Sequence, residues 1–106
     1  MRVVGTIVEE ESGKPLAGLQ VRAFDKDLLF DDKLGVAITD AAGSFRIDYS
    51  QVNFSSMFGT ETTPELYVHV FDASGKNLLW TSKKAIRKNP AVEERYDIKI
   101  PRAKLG

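Results

Sequence analysis

The sequence contains no cysteine, so disulfide scaffolds, cysteine nucleophiles and thiolate metal sites are excluded. It has a single histidine, His69, and no Gly-x-Ser-x-Gly elbow, so a serine nucleophile would have only one candidate base. Acid–base catalysis by His69 would need a partner within hydrogen-bond reach, and the sequence names none. These absences predict that the chain is not an enzyme, and that His69 is a packed residue of the core or of a subunit contact.

An excess of charge of one sign is also lacking, because 15 basic residues balance 15 acidic ones. Domains that bind nucleic acid usually carry a basic excess, so we expect no nucleic-acid partner. No apolar run approaches the about 20 residues of a membrane-spanning helix, and the first residues have no apolar signal core. The sequence therefore fits a protein that stays inside the cell or a domain of a longer secreted chain.

Apolar residues recur at a period of two, which predicts β-strands and leaves no convincing amphipathic helix. Seven strands are predicted, over residues 2–9, 19–23, 35–39, 45–49, 66–71, 77–82 and 96–100. Seven short strands separated by turns at regular spacing predict a Greek-key β-sandwich that forms one domain over residues 1–106. We expect the third strand at a sheet edge and the fifth, apolar on both faces, in a sheet centre.

Carboxylates crowd the connection between the second and third strands, which makes calcium the natural candidate ligand. Calcium takes six to eight oxygen ligands, at about 2.3–2.6 Å. Asp25 and Asp27 are two residues apart and point the same way at an extended strand end, and Asp31 or Asp32 can return across the loop. Asp72, at the end of another strand, would complete the site. The alternative is that these aspartates cap turns and keep an exposed loop soluble, which is the reading we favour.

Apolar residues lie between the two aspartate pairs. The segment Leu28-Leu29-Phe30 can tuck beneath the loop or present an apolar tip to a partner, and we expect it to tuck. The basic segment with Lys83, Lys84, Arg87 and Lys88 is expected to be a solvated, irregular link. Together with the acidic loop, the basic segment also allows head-to-tail contacts between copies of the chain, so a homo-oligomer remains an alternative.

Four motifs occur in an order that resembles the transthyretin-like superfamily, the prealbumin-like sandwich shared with carboxypeptidase regulatory domains. They are Gly-Lys-Pro-Leu-Ala-Gly (13–18), Val-Arg-Ala-Phe-Asp (21–25), Asp31-Asp32-Lys33-Leu34-Gly35, and Thr-Asp-Ala-Ala-Gly-Ser-Phe (39–45). The resemblance is good over residues 3–49. It implies a secreted or cell-surface protein if the chain is an excised domain. The hydrolase branch uses several histidines and a C-terminal Tyr-Arg-Gly-Ser, whereas this chain ends Pro-Arg-Ala-Lys-Leu-Gly, so catalysis does not carry over.

We therefore expect a non-catalytic binding module with a transthyretin-like fold, which engages a protein, lipid or glycan through loops at one end of the sandwich. The predicted binding residues are Asp25, Asp27, Leu29, Phe30, Asp31 and Asp32. The predicted calcium ligands are Asp25, Asp27, Asp31, Asp32 and Asp72. No other cofactor is expected. The alternatives are a calcium-dependent surface-binding domain, similar in use to a C2 domain, and a structural spacer of a larger protein.

Overall fold

Two β-sheets enclose one hydrophobic core in the computed structural model of the protein, which describes residues 1–27, 30–50 and 65–106. The strands are β1 (Arg2–Glu9), β2 (Gln20–Asp25), β3 (Asp32–Ile38), β4 (Ser44–Asp48), β5 (Glu65–Phe71), β6 (Leu78–Thr81), β7 (Arg87–Lys88) and β8 (Glu93–Ile100). Short 3₁₀ turns cover Lys83–Ala85 and Arg102–Lys104. The predicted all-β architecture is confirmed for the described residues.

The strands divide into sheet A, ordered β4-β1-β8, and sheet B, ordered β3-β2-β5-β6 with β7 beside β5. In sheet A, β1 is antiparallel to β4 and parallel to β8. In sheet B, the β2–β3, β2–β5, β5–β6 and β5–β7 pairs are all antiparallel. The prediction is thus confirmed that the third strand lies at a sheet edge and the fifth lies inside a sheet.

The core follows directly from the period-two pattern, because alternate residues of each strand face the space between the sheets. The side chains that fill it are Val3, Ile7, Leu19, Val21, Ala23, Leu34, Phe45, Ile47, Tyr49, Leu66, Val68, Val70, Tyr96, Ile98 and Ile100. Gly5 is the exception in the inward series of β1. A Cβ there would lie 1.9 Å from the Tyr96 carbonyl oxygen and 2.8 Å from the Phe45 ring, so the close approach requires glycine.

The structure shifts most predicted strand boundaries by one or two residues, makes larger corrections to β3 and β8, and adds one strand. Strand β3 begins at Asp32 and ends at Ile38, whereas the sequence suggested residues 35–39, so Asp32 belongs to a strand and not to the loop. Strand β8 begins at Glu93, three residues before Tyr96. The basic segment predicted to be irregular contains a 3₁₀ turn and the additional strand β7, which makes eight strands in place of seven among the described residues. The predicted loop of residues 50–63 lies almost wholly outside the described residues.

The predicted turn between β3 and β4 is confirmed. Gly43 has φ of 72°, a left-handed conformation in which glycine is strain-free. The Asp40 carboxylate accepts hydrogen bonds from the backbone N–H groups of Ala42 and Ser44, each at 2.9 Å. Asp40 therefore closes the turn through its own side chain, as aspartate commonly does.

The two ends of the sandwich differ in their loops. The end that we call the loop end carries the β2–β3 connection, the start of β5 and the Val92 segment that leads into β8. The opposite end, the turn end, carries Gly43 and the Asp72–Asn77 turn. The predicted aspartates of the β2–β3 connection therefore all lie at the loop end.

Candidate functional site

Asp25 acts as a cap between two strands. Its side chain is buried at the end of β2, and its carboxylate accepts a hydrogen bond of 2.7 Å from the Glu65 backbone N–H. Burial raises the pKa of this carboxyl, the Glu65 hydrogen bond opposes the rise, and the charge of Asp32 adds to it. Asp32 lies directly opposite Asp25 in the β2–β3 register. The carboxylate is thus committed to holding β2 and β5 together.

Asp31 anchors the loop to sheet B. Its carboxylate accepts hydrogen bonds from the Tyr67 hydroxyl and, at 3.1 Å, from the Asp27 backbone N–H. The Lys83 ammonium lies 3.6 Å away. Burial raises the pKa of the Asp31 carboxyl, but the Tyr67 and Asp27 hydrogen bonds and the nearby lysines outweigh it, so the pKa lies below its ordinary value. Burial, together with the hydrogen bond to Asp31, raises the pKa of the Tyr67 hydroxyl.

Asp72 does not belong to this group, and its prediction as a shared calcium ligand is wrong. Asp25 pairs with Leu66 at the start of β5, whereas Asp72 follows the last residue of that 7-residue strand, about 20 Å away at about 3.4 Å per residue. Its carboxylate accepts hydrogen bonds from the Ser74 hydroxyl and the Asn77 amide, which lower its pKa to about 2. Among residues 1–27, 30–50 and 65–106, no three acidic or histidine side chains are grouped closely enough to hold a metal ion.

Phe30 is 83% exposed, which makes the expectation that it tucks beneath the loop wrong. The reason lies in the anchoring of its neighbour, because Asp31 points to Tyr67 and Lys83 and the ring of Phe30 is left outside. Leu28 and Leu29, the other two apolar residues of the prediction, lie outside the described residues. Lys26 and Lys33 on either side are exposed. The loop end thus presents one large aromatic ring between two exposed lysines and the exposed Asp27 and Asp32.

An aromatic cluster covers the outer face of sheet B next to this loop. The Phe24 and Tyr67 rings stack with centroids 5.2 Å apart, and the His69 ring meets each of them edge-on at 5.2 Å. Phe71 meets His69 edge-on at 5.9 Å. Burial lowers the pKa of His69, and the charges of Lys83 and Arg22 lower it further. Its buried Nδ1 has no hydrogen-bond partner in the described part of the chain.

Exposed aliphatic side chains continue this face toward the turn end. Ile38 is 54% exposed, Val36 is 42% exposed and Leu78 is 48% exposed. The strand register places them in two cross-strand rows, Ile38–Gln20–Phe71–Leu78 and Val36–Arg22–His69–Thr81. We call these the apolar rows. Sequence reasoning missed them, although Val36 and Ile38 alternate with Gly35 and Ala37 in the manner of a strand with two apolar faces.

Arg22 is the one formal charge in the apolar rows, and it is held in place. Its guanidinium lies 4.0 Å from the centroid of the Phe71 ring and donates a hydrogen bond of 3.0 Å to the Gly75 carbonyl. A second bond of 3.0 Å goes to the Gln20 side chain. Because one guanidinium nitrogen is hydrogen-bonded on both sides and the group lies over the Phe71 ring, Arg22 is held against the apolar rows instead of projecting from them.

No protein-family model matches the chain, and no curated protein sequence matches it. Among solved structures, it is similar to part of the crystal structure of a 9R-lipoxygenase from Cyanothece PCC8801, with a TM-score of 0.61 and 21% sequence identity. The similarity covers 92% of this chain and 15% of that chain. No helix of the described residues is long and apolar enough to cross a membrane. At this level of identity the likeness establishes a shared small β-sandwich fold, which in the lipoxygenase is a minor part of a much longer chain.

Proposed function

We propose that the chain is a non-catalytic binding module with a transthyretin-like, Greek-key sandwich, and that it attaches to a lipid surface through Phe30 at its loop end. The strand pairing supports the Greek-key part of the proposal. The hairpin β2–β3 lies in sheet B, while its flanking strands β1 and β4 pair with each other in sheet A, as in a long hairpin folded over on itself. The four motifs of residues 13–45 support the transthyretin-like part.

The exposure of Phe30 is the observation that carries the lipid proposal. A ring that is 83% exposed gains about 2 kcal/mol when it leaves water for an apolar phase, and the anchored carboxylates of Asp25 and Asp31 hold its loop against sheet B. Val92, which is 72% exposed, lies at the same end of the sandwich. The exposed ammonium groups of Lys26 and Lys33 are suited to lie among phosphates while Phe30 enters the acyl region.

The comparison with a solved structure supports the choice of lipid over protein or glycan. The similar fold occurs within a chain named as a lipoxygenase, an enzyme class named for its lipid substrates. For the present chain we propose lipid binding alone, and the Asp25 and Asp31 carboxylates serve to shape the loop.

Vesicle sedimentation tests this function directly. We expect the chain to pellet with phosphatidylcholine–phosphatidylserine vesicles, F30A to bind about tenfold more weakly, and V92A to bind a few-fold more weakly. L78A is the matched control, because Leu78 is also exposed but lies at the turn end. Binding should be equal in calcium and in a chelator. If F30A sediments like the unchanged chain, the proposal fails, and a requirement for calcium would favour the C2-like alternative instead.

The apolar rows favour a second candidate, in which the outer face of sheet B docks on a protein. Three aliphatic side chains, each between 42% and 54% exposed, lie on one flat face. Contiguous exposed apolar surface of this kind marks sites of contact with other proteins. We expect the dye ANS to fluoresce with the chain and several-fold less with V36S/I38S. Vesicle binding should be unaffected by that double substitution if the lipid proposal holds. If ANS does not fluoresce in the presence of the unchanged chain, protein docking on the outer face of sheet B is excluded.

A further inference from the structure

Strand β8 lies at the edge of sheet A, and its backbone N–H and C=O groups point alternately toward β1 and away from it. The Arg2 N–H donates to the Val92 carbonyl at 2.8 Å and the Glu10 N–H donates to the Ile100 carbonyl at 3.0 Å. Both acceptors are even-numbered residues on the β1 side. Because successive residues of a strand direct their backbone groups to opposite edges, the odd-numbered residues Glu93 to Lys99 direct theirs away from β1.

The outer edge of β8 is capped at one point. The Arg87 guanidinium donates a 2.8 Å hydrogen bond to the Arg95 carbonyl and lies 3.8 Å from the centroid of the Tyr96 ring. No described strand pairs with this edge. An open groove of about 270 Å³ runs beside it, with Trp80, Tyr96 and Ile98 among its walls. From Asp97 to Lys99 the outward N–H and C=O groups are therefore available to another strand.

Two copies of β8 are complementary to each other in one antiparallel register. If two copies meet with Ile98 opposite Ile98, the exposed Asp97 faces Lys99 of the second copy, and the reverse pair repeats the match. Tyr96 then faces Ile100 of the second copy on the inward side. Arg95 faces Pro101, which has no N–H to donate, and this suits a carbonyl that already accepts from Arg87.

Neighbouring registers lack this agreement. Centring on Asp97 places the two Asp97 carboxylates against each other and sets Arg95 opposite Lys99, so that like charges meet directly. Centring on Tyr96 demands a second acceptor role from the Arg95 carbonyl and places Glu94 beside Ile98 on the inward face. Of these three registers, only the one centred on Ile98 avoids like-charge pairs, keeps apolar residues on the inward face and asks no second bond of the Arg95 carbonyl.

We infer that β8 is the contact through which two copies of this chain associate, in an antiparallel β8–β8 pair centred on Ile98. The pairing joins two three-stranded sheets into one six-stranded sheet of order β4-β1-β8-β8-β1-β4. It stands apart from the proposed lipid contact, because it uses the edge of sheet A and leaves Phe30 exposed.

Sedimentation equilibrium across a wide range of protein concentration tests the pairing. We expect a reversible dimer, which K99P weakens at least tenfold because it removes an N–H that would donate to the second copy. E93P is the matched control, since Glu93 directs its N–H to the same edge but lies beyond the paired residues. The N–H groups of both positions point away from β1, so neither substitution removes a bond of the folded chain.

A charge exchange fixes the register. D97K and K99D are each expected to weaken the dimer roughly tenfold, because each brings like charges together twice, and D97K/K99D is expected to restore it. Asp97 also accepts hydrogen bonds from Thr6 and Arg95 within the chain, so K99D gives the cleaner single result. D48K, on the same face but at the far edge of sheet A, should leave the dimer intact. A chain that is monomeric at every concentration, equal loss with E93P, or no recovery in the double variant would each overturn the inference.

Discussion

The outer faces of the two sheets are built on opposite principles. On sheet A the exposed side chains form ion pairs, with the Arg46 guanidinium 2.9 Å from the Asp48 carboxylate and Arg95 3.0 Å from Asp97. On sheet B the corresponding positions hold the stacked Phe24 and Tyr67 rings and the apolar rows. The inner faces share one core, so the two sheets differ in what their outer faces present to solvent.

The two faces also differ in what their side chains contribute to stability. An ion pair on an exposed face exchanges contacts with water for contacts that salt screens, and it contributes little. A ring such as Tyr67, which is only 2% exposed on an outward face, contributes the full transfer of its surface out of water. The outward face of sheet B therefore behaves in part as a second small core.

Replacement of Tyr67 gives the largest expected effect. We predict that Y67A lowers the free energy of unfolding by about 3–5 kcal/mol, because it removes a buried ring and the hydroxyl that donates to Asp31. The matched change on sheet A, R46A, should leave the urea midpoint nearly unchanged. If the two substitutions cost the same in urea unfolding, the distinction between the faces is lost.

An intermediate effect is expected from D31N. Hydrogen bonds to a charged group contribute about 1.5–3 kcal/mol, so we predict a loss of that order at neutral pH. The pKa of Asp31 is lowered in the folded chain, so its contribution is present above the ordinary aspartate pKa and is lost as the pH falls through the lowered value. Unfolding midpoints measured from pH 7 to pH 2 should therefore converge for D31N and the unchanged chain, and parallel curves would contradict the role of Asp31.

The smallest effect is expected at His69. Burial, Lys83 and Arg22 lower its pKa, so the unfolded chain takes up a proton near pH 6.5 before the folded chain does. Stability then falls as the pH drops from 6.5 to the lowered pKa and is fully present above 6.5. H69F should remove that part of the pH dependence in calorimetric melting curves between pH 7 and pH 5. An unchanged slope would show that His69 is not held neutral by the aromatic cluster.

Much of the fold was predictable because it depends on local pattern. The alternation of Phe45, Ile47 and Tyr49 with charged residues specifies which face of β4 is buried, whatever its neighbours are. The start of β3 at Asp32 was not predictable in this way, since polar residues enter that strand only because β2 supplies the hydrogen bonds. The same holds for β7, a strand of two residues beside β5.

The candidate site was less predictable than the fold. The aspartates of the β2–β3 connection were evident from composition, but their partners lie 36 to 40 residues away, as in the bonds from Tyr67 to Asp31 and from Glu65 to Asp25. Without those partners, four carboxylates resemble a metal site. With them, two of the four are committed to holding the loop.

The amino-acid order thus specifies the strands, the Asp40–Gly43 turn and the inward face of each sheet, because these follow from periodicity and turn chemistry within a few residues. Long-range pairing specifies the rest. It separates Asp72 from the other aspartates by the length of β5, sets Phe30 outside while Asp31 is drawn inward, and aligns Val36, Ile38 and Leu78 on one face. Such features depend on register between strands distant in sequence, and no local pattern encodes that register.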